Sequence, residues 1–189
     1  MQKAHGTCPC ALRTLARTMM KSIRLTGRLK TICGYINDGA SVADIGTDHG
    51  FLPVYLAQTG IARCIIASDI SAGSLESACN SAAKYGVTEK IIFITAPGLD
   101  CIPAAKETGV MEVDTIVIAG MGGETISSIL ENALWTKKSG IRLILQPQSK
   151  ISTLCRFLYD NGYVISSTKI ALDKGRRYTV IVCEDSNNA

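Results

Sequence analysis

Short apolar runs alternate with helix-like stretches along most of this chain. Between Val42 and about Ile151, runs rich in valine and isoleucine recur, and segments with helical periodicity separate them. This alternation is typical of a parallel sheet whose strands are joined by crossover helices. It predicts five strands, at Val42–Ile45, Cys64–Ser68, Ile91–Thr95, Val113–Ala119 and Arg142–Gln146.

Helices are predicted between these strands and outside them. Glycines such as Gly60, Gly86 and Gly162 mark helix ends, and Ser71 can cap the helix that follows it. The predicted helices cover Leu25–Ile36, Leu52–Thr59, Ser71–Tyr85, a weaker one near Ile102–Thr108, Thr125–Leu134 and Ile151–Asn161.

The last two strand-like runs are not separated by a predicted helix. Tyr163–Ala171 and Arg177–Glu184 are separated by too few residues for a crossover helix, so they are expected to pair as an antiparallel hairpin. A mostly parallel, seven-stranded sheet that ends in such a hairpin, with helices on both faces, resembles the Rossmann-like fold of class I S-adenosylmethionine-dependent methyltransferases. A nicotinamide-binding fold would continue with another parallel strand. The predicted fold class is therefore α/β.

Composition narrows the class of protein, and the distribution of charge suggests a partner. The 189 residues are 47% hydrophobic, which fits one folded domain. No uncharged apolar run approaches the ~18 residues of a membrane span, so no membrane partner is expected. No acidic residue precedes Asp38, whereas seven basic residues do, and the formal net charge of +4 arises there. This basic beginning suggests a polyanion such as nucleic acid, or only a solvated terminus.

The first residues are expected to lie outside the folded domain. Residues 1–19 show little apolar periodicity, lack the apolar middle of a secretory signal, and are short and poor in serine for a transit peptide. Met20 offers a second possible start. We expect a basic leader over residues 1–19, disordered or an extension, and a single domain over residues 20–189.

The cysteines do not form a metal-binding pattern. Apart from Cys8 and Cys10, the eight cysteines stand singly among apolar neighbours, and His5 and His49 are the chain's histidines. Zinc sites need clustered ligands, so no metal is expected. Scattered thiols without a secretory signal indicate reduced cysteines and a cytoplasmic protein.

The most informative motif is DIGTDHG, residues 44–50, at the end of the first predicted strand. Open α/β sheets bind ligands at this edge, and Gly46 lets the backbone approach a ligand closely. The carboxylates of Asp44 and Asp48 would repel a dinucleotide pyrophosphate, and Asp48 stands where the GxGxxG motif has its second glycine. The motif favours a cationic ligand; a tight turn with capping aspartates is the structural alternative.

Three further elements follow strand ends. Asp69 ends the second strand, where an acidic side chain can accept the hydroxyls of a ribose or merely cap a helix. The glycine-rich AGMGG, residues 119–123, leaves room for a flat base against Met121, or only turns the chain. Gln146 and Gln148 flank a proline, and their amides can both donate and accept hydrogen bonds, which suits the edge of a base.

Together these motifs resemble the bacterial tRNA (adenine(22)-N(1))-methyltransferase family. The similarity covers about Lys21 to Glu184 and rests on the order and spacing of DIGTDHG, the SDI that ends at Ile70, IAGMGGETISSIL (118–130) and LILQPQ (143–148). RLKTI at 28–32 and the Gly162-Tyr163 pair are also similar. The resemblance implies an enzyme that methylates N1 of an adenine in tRNA, with S-adenosylmethionine as cofactor.

The resemblance also implies residue roles. The residues expected to hold the cofactor are Asp44, Gly46, Asp48, His49, Gly50, Asp69, Ile70, Gly98 and Gly120. Those expected at the reacting centre are Asp48, Met121, Gly122 and Gln146, and those expected to contact the substrate are Gly123, Gln148, Arg28 and Lys30. Because adenine N1 already carries an in-plane lone pair, alignment and desolvation can suffice, and no general base is assigned.

Two departures from the family pattern keep alternatives open. The family has Gly-Asp/Asn-Gly-Leu after the third strand, whereas this chain has Ala96-Pro97-Gly98-Leu99, so the polar contact to the cofactor is expected to be lost at Pro97. The family's C-terminal helical extension is also expected to be absent, because the sequence ends at Ala189. The alternatives are a cofactor- or RNA-binding remnant with little or no turnover, and a methyltransferase with another substrate.

Overall fold

A seven-stranded sheet forms the centre of the computed structural model, which describes residues 21–103, 112–137 and 140–184. The strands stand in the order β3-β2-β1-β4-β5-β7-β6. Their bounds are Ala40–Ile45 (β1), Ala62–Asp69 (β2), Ile92–Thr95 (β3), Thr115–Gly122 (β4), Arg142–Ser149 (β5), Ile165–Asp173 (β6) and Arg176–Cys183 (β7). The strand order changes direction between β1 and β4, because β2 and β3 lie on the β1 side of this pair and β5 lies on the β4 side. In open α/β sheets, ligands bind at such a point.

The pairing confirms the predicted mixed sheet. Strands β1 to β5 run parallel to one another, and β7 runs antiparallel to both β5 and β6. The hairpin turn is tighter than the sequence indicated, because Lys174 and Gly175 alone connect the paired residues Asp173 and Arg176. Both connecting residues have positive φ, 47° and 76°, as a two-residue hairpin turn of type I′ requires.

Two strands extend beyond their predicted ends at Ala119 and Gln146, into the AGMGG and QPQ segments. β4 continues through Met121 to Gly122, and β5 continues through Pro147 to Ser149, with register shifts around Met121. The glycines and the proline suggested loops, but the two strand ends pair irregularly with each other instead of separating.

Five α-helices flank the sheet among the described residues. They span Gly27–Cys33 (α1), Phe51–Thr59 (α2), Ala72–Lys84 (α3), Gly123–Glu131 (α4) and Ile151–Asp160 (α5), and short 3-10 turns cover Thr88–Lys90 and Leu134–Lys137. Ser71 caps α3 as predicted, since its hydroxyl accepts a hydrogen bond from the Ser74 N–H at 3.3 Å. α1 is shorter than predicted because Thr26 caps it and the helix ends at Gly34.

Two predictions fall wholly or largely on residues that the structure does not describe. The leader at 1–19 is one of them. For the helix predicted near Ile102–Thr108, residues 101–103 are helical, and 104–111 are outside the described ranges.

Apolar side chains on both faces of the sheet form two cores. Val42, Val117 and Ile144 pack on the face covered by α1, α2 and α3, whereas Ile116 and Leu145 pack on the face covered by α4 and α5. Successive side chains of one strand therefore point into opposite cores, because successive side chains of a pleated strand point to opposite faces of the sheet. Within the described ranges no helix is long and apolar enough to cross a bilayer.

The first helix is held against the terminal hairpin by a glycine. A Cβ atom at Gly27 would collide with the backbone carbonyl oxygen of Leu172 in β6. On the same face, the Tyr35 hydroxyl is 2.9 Å from the hydroxyl of Ser167. The Gly27 contact brings the start of α1 beside the β6–β7 turn, and the Tyr35 contact lies just beyond the end of α1, near the start of β6.

We expect Gly27→Ala to lower the free energy of unfolding by about 1–3 kcal/mol, because the added methyl group forces α1 away from β6. Gly73→Ala is the matched control: Gly73 also lies in the first turn of a helix, but its nearest neighbour would be the Ser71 hydroxyl oxygen at 3.8 Å. That substitution should raise stability by up to ~1 kcal/mol through helix propensity. Urea unfolding followed by circular dichroism measures both, and equal stabilities would contradict the close packing of α1.

Candidate active site

A crevice of about 820 Å³ opens at the carboxyl ends of the strands. Its walls come from the turn after β1, the ends of β2 and β4, the start of α1 and the β6–β7 hairpin. This volume lies within the range of small-molecule sites, roughly 300–1,000 Å³. The fold therefore places the sequence motifs that follow β1, β2 and β4 around one cavity.

Asp44 is a buried carboxylate at the floor of the crevice. Its side chain accepts a hydrogen bond from the Thr47 hydroxyl at 2.8 Å. Burial raises its pKa from 3.8 to about 6, although the Thr47 hydrogen bond and the Arg28 cation lower it; Asp69 adds a small increase. A group that titrates near neutral pH in a cleft is typical of a binding or catalytic site.

The backbone after β1 makes three left-handed residues in a short turn. Gly46, Asp48 and Gly50 have φ values of 71°, 52° and 66°. A Cβ atom at Gly46 would collide with the methyl group of Met121, and one at Gly50 would lie 2.8 Å from the Cβ of Ala78. Asp48 occupies a left-handed conformation that glycine adopts without strain but that is uncommon for other residues.

Asp69 joins the ends of two strands. One of its carboxylate oxygens accepts a hydrogen bond from the Asp48 N–H at 3.2 Å, and the other accepts one from the Ser71 N–H at 2.9 Å. The Gly46 and Thr47 N–H groups donate to the Ser68 carbonyl oxygen at 2.8 and 2.9 Å. The Asp69 carboxylate is therefore fixed at the crevice wall, with its remaining lone pairs free for a ligand.

Arg28 lies on the other side of the crevice and is held by two partners. Its Nη1 donates to the Gln146 side-chain oxygen at 2.7 Å, and its guanidinium lies 5.8 Å from the centre of the Tyr178 ring. Gly120, with φ of 84°, leaves room there, because a Cβ atom would lie 3.3 Å from Arg28 Nη1 and 3.5 Å from Gln148 Nε2. Nitrogen donors of Arg28 and Gln148 therefore converge above a residue without a side chain.

The structure brings most of the predicted site residues together. Those that line the crevice are Asp44, Gly46, Asp48, His49, Asp69, Ile70, Gly98, Gly120, Met121, Gln148 and Arg28. Their individual roles remain predictions.

Five predicted residues do not line the crevice. Gln146 is fully buried behind Arg28, and its Nε2 donates to the Pro147 carbonyl oxygen at 2.8 Å. Gly50 packs on Ala78, and Gly122 and Gly123 face the Ser149–Lys150 segment. Lys30 is exposed on α1. Gln146 therefore orients Arg28 from behind the wall of the crevice and is not in a position to contact a ligand there.

The hairpin contributes crevice residues that no sequence motif predicted. Asp173, Lys174 and Tyr178 line the crevice, together with Thr26 and Leu29 near the start of α1. The sequence shows a turn at this position, but no local signal indicates that the hairpin reaches the ligand edge of the sheet. The hairpin reaches this edge because Gly27 packs closely against Leu172, a long-range contact that the sequence does not reveal.

The crevice is electrostatically divided. Three of its four carboxylates, Asp44, Asp48 and Asp69, come from the ends of β1 and β2, toward one edge of the sheet, and the fourth, Asp173, lies on the hairpin. Its cations Arg28 and Lys174 come from α1 and the hairpin, toward the other edge. A ligand that carries positive charge fits the first half, and a polyanion fits the second.

We expect Asp44→Asn to stabilise the ligand-free protein at neutral pH. The folded-state pKa of about 6 exceeds the unfolded value of 3.8, so the stability that the protonated carboxyl contributes is complete below about pH 4 and is lost as the pH rises through 6. The variant keeps an acceptor for Thr47 and should be more stable by about 3 kcal/mol at pH 7.5. Urea unfolding between pH 4.5 and 8 should show this advantage shrinking as the pH falls; an advantage independent of pH would contradict the shift.

The chain is similar in sequence to a known protein family and to a characterised relative. Residues 25–181 match the family described as "Methyltransferase domain". The tRNA (adenine(22)-N(1))-methyltransferase of Bacillus subtilis is 36% identical over 165 residues, which cover 87% of this chain and 67% of that protein.

Solved structures agree with this placement. The crystal structure of the B. subtilis m1A22 tRNA methyltransferase TrmK superimposes with a TM-score of 0.75 at 35% identity, covering 87% of this chain and 68% of that one. The structure of M. capricolum TrmK in complex with S-adenosyl-homocysteine gives 0.73 at 28% identity, covering 86% and 69%. These matches confirm the fold and the family resemblance, and the chain belongs to the methyltransferase-domain family and, within it, to the family of tRNA (adenine(22)-N(1))-methyltransferases.

Proposed function

We propose that this chain transfers a methyl group from S-adenosylmethionine to N1 of an adenine in tRNA. The divided charge of the crevice is the observation that carries the proposal, because a cationic methyl donor and a polyanionic acceptor need opposite environments next to each other. The B. subtilis relative is named for this reaction. We place the activity in a domain spanning residues 20–189 and in the cytoplasm, where tRNA and the free cysteines of the described residues both fit.

The residues present fit the cofactor. Asp69 would hold the ribose, since two backbone N–H groups already orient its carboxylate. Asp44 and Asp48 would offset the positive charge of the donor, and Gly46 and Gly120 leave the backbone accessible. The bound cofactor would supply an electrophilic methyl group on a sulfonium.

For methyl transfer, the acceptor adenine has to be oriented toward the methyl group, and it does not need a general base. Adenine N1 attacks through its own lone pair, so no proton has to leave before the methyl group is transferred. Gln148 and Arg28 would position the base by donating hydrogen bonds, and Met121 would exclude water from the junction. Holding two reactants in line can lower a barrier by about 7–11 kcal/mol without a catalytic base.

Pro97 is the feature of the site that least favours cofactor binding. Pro97 and Gly98 both line the crevice, so this segment faces a ligand there as the family resemblance implied. A proline offers neither an N–H nor a polar side chain at this point. Asp100 does not line the crevice, and its N–H donates to the Pro97 carbonyl oxygen at 3.2 Å, so it does not replace the missing contact.

We therefore expect Pro97→Asp to raise the affinity for S-adenosylmethionine about tenfold, the value of one added hydrogen bond to a charged group. Asp100→Ala is the matched control and should leave the affinity unchanged. Isothermal titration calorimetry measures both dissociation constants. If the Pro97 variant bound the cofactor no better, this segment would not face its base.

The activity itself can be tested with a tRNA transcript that carries adenine at position 22. With labelled S-adenosylmethionine, nucleoside analysis should show 1-methyladenosine, and a transcript with guanine at that position should stay unlabelled. Asp69→Ala should abolish the label by weakening cofactor binding. Label on protein or a small molecule, or no cofactor binding at millimolar concentration, would refute the proposal.

A further inference from the structure

Basic side chains cluster on the rim of the crevice beside the hairpin. Residues 21–33 contain no acidic residue, and between 165 and 177 Asp173 is the single one. We call six exposed cations of these two segments the basic rim: Arg24, Lys30, Lys169, Lys174, Arg176 and Arg177. Four of them lie on the hairpin, which the sequence motifs did not connect with the site.

The two segments form one surface. α1 packs against β6 and β7, and Gly27 lies against the carbonyl of Leu172. Thr26 and Lys174 line the same crevice from the two segments. Arg28 and Lys174, about 150 residues apart in sequence, therefore line the same cavity, and the basic rim flanks them on the same two segments.

Within the described ranges, no cation of the basic rim forms an ion pair, although Asp173 is the cross-strand partner of Arg176 at the hairpin turn. The ion pairs with lysine or arginine found there engage Arg63, Arg142 and Lys150, all outside the rim. The opposite wall of the crevice carries the carboxylates of Asp48 and Asp69. A polyanion at the mouth would therefore be attracted to one edge and repelled from the other.

The hairpin also exposes apolar side chains beside its cations. Ile170 and Leu172 are 52% and 68% exposed, and Leu172 pairs across the hairpin with Arg177. A surface that combines cations with apolar groups suits single-stranded or loop RNA, because phosphates meet the cations and unstacked bases or riboses meet the apolar groups.

We propose that the basic rim, and the tip of the hairpin above all, holds the RNA backbone on both sides of the adenine that enters the crevice. The proposal rests on the proposed function, since it concerns the acceptor of that reaction. An adenine whose N1 reacts inside the cavity leaves its neighbouring phosphates at the mouth. Lys174 lines the crevice from the hairpin turn, and Arg176 and Arg177 follow it at the start of β7. Arg24 and Lys30 contribute from the α1 side.

The test is a triple variant of the hairpin, Lys174→Asn, Arg176→Gln and Arg177→Gln. Asparagine suits the left-handed conformation of position 174, where φ is 47°. We expect its affinity for a tRNA transcript with adenine at position 22 to fall on the order of tenfold to a hundredfold at 100 mM salt. The slope of log affinity against log salt should become shallower by about three, one for each lost phosphate contact. Affinity for S-adenosylmethionine and the melting temperature should not change.

The matched control removes three exposed charges far from the rim, Lys84→Gln, Lys137→Gln and Arg156→Gln, and should leave tRNA affinity unchanged. Arg24→Gln with Lys30→Gln tests the same rim from α1 without altering the hairpin turn, and should also weaken tRNA binding. If wild type methylates tRNA and the hairpin variant binds it equally well, the inference is wrong. If the variant instead loses binding to vesicles containing phosphatidylserine while keeping tRNA, the rim is a lipid-binding surface and the inference is overturned. A wild-type protein that binds the cofactor but no tRNA would refute the proposed function, and the inference with it.

Discussion

The candidate site depends on one carboxylate that accepts backbone hydrogen bonds from both sides of a gap between strands. Asp69 ends β2, and its two oxygens are bound by the N–H groups of Asp48 and Ser71. The first of these groups belongs to the turn after β1, which adopts left-handed conformations at Gly46, Asp48 and Gly50. Glycine adopts the φ of 71° at Gly46 without strain, and the methyl group of Met121 occupies the space that a Cβ atom would fill. The geometry of the turn, the position of β4 and the orientation of Asp69 are thus mutually dependent.

Topology explains how opposite charges come to share a crevice. The strand order places the ends of β1 and β2 on one side of β4 and the antiparallel hairpin on the other. A parallel strand in place of the hairpin would point its end at the same edge but would need a crossover helix. The two-residue turn brings Lys174 to the mouth of the crevice instead. The antiparallel hairpin thus distinguishes this fold from an all-parallel one, and through Lys174 it also supplies positive charge to the side of the crevice where we place the acceptor.

Much of the fold was predictable because strand and helix periodicities are local properties of a sequence. Every predicted strand is present, and the errors concern their ends, as at β4 and β5, where irregular pairing overrides the loop preference of Gly120 and Pro147. The carboxylates of the site were predictable because they follow buried strands. The burial of Gln146 and the approach of Tyr178 and Lys174 were not, since both depend on how α1 packs against the hairpin. That packing follows from a long-range contact between Gly27 and Leu172, which leaves no periodic signal in the sequence.

The central claim is that the acidic half of the crevice holds the methyl donor and the basic half receives the base. A crystal structure of the protein with S-adenosylmethionine tests it most directly. The account predicts electron density for the ribose against the Asp69 carboxylate, with the methyl group directed past Met121 toward Gln148 and Arg28. A cofactor bound on the hairpin side of the crevice, or away from the ends of β1 and β2, would contradict it.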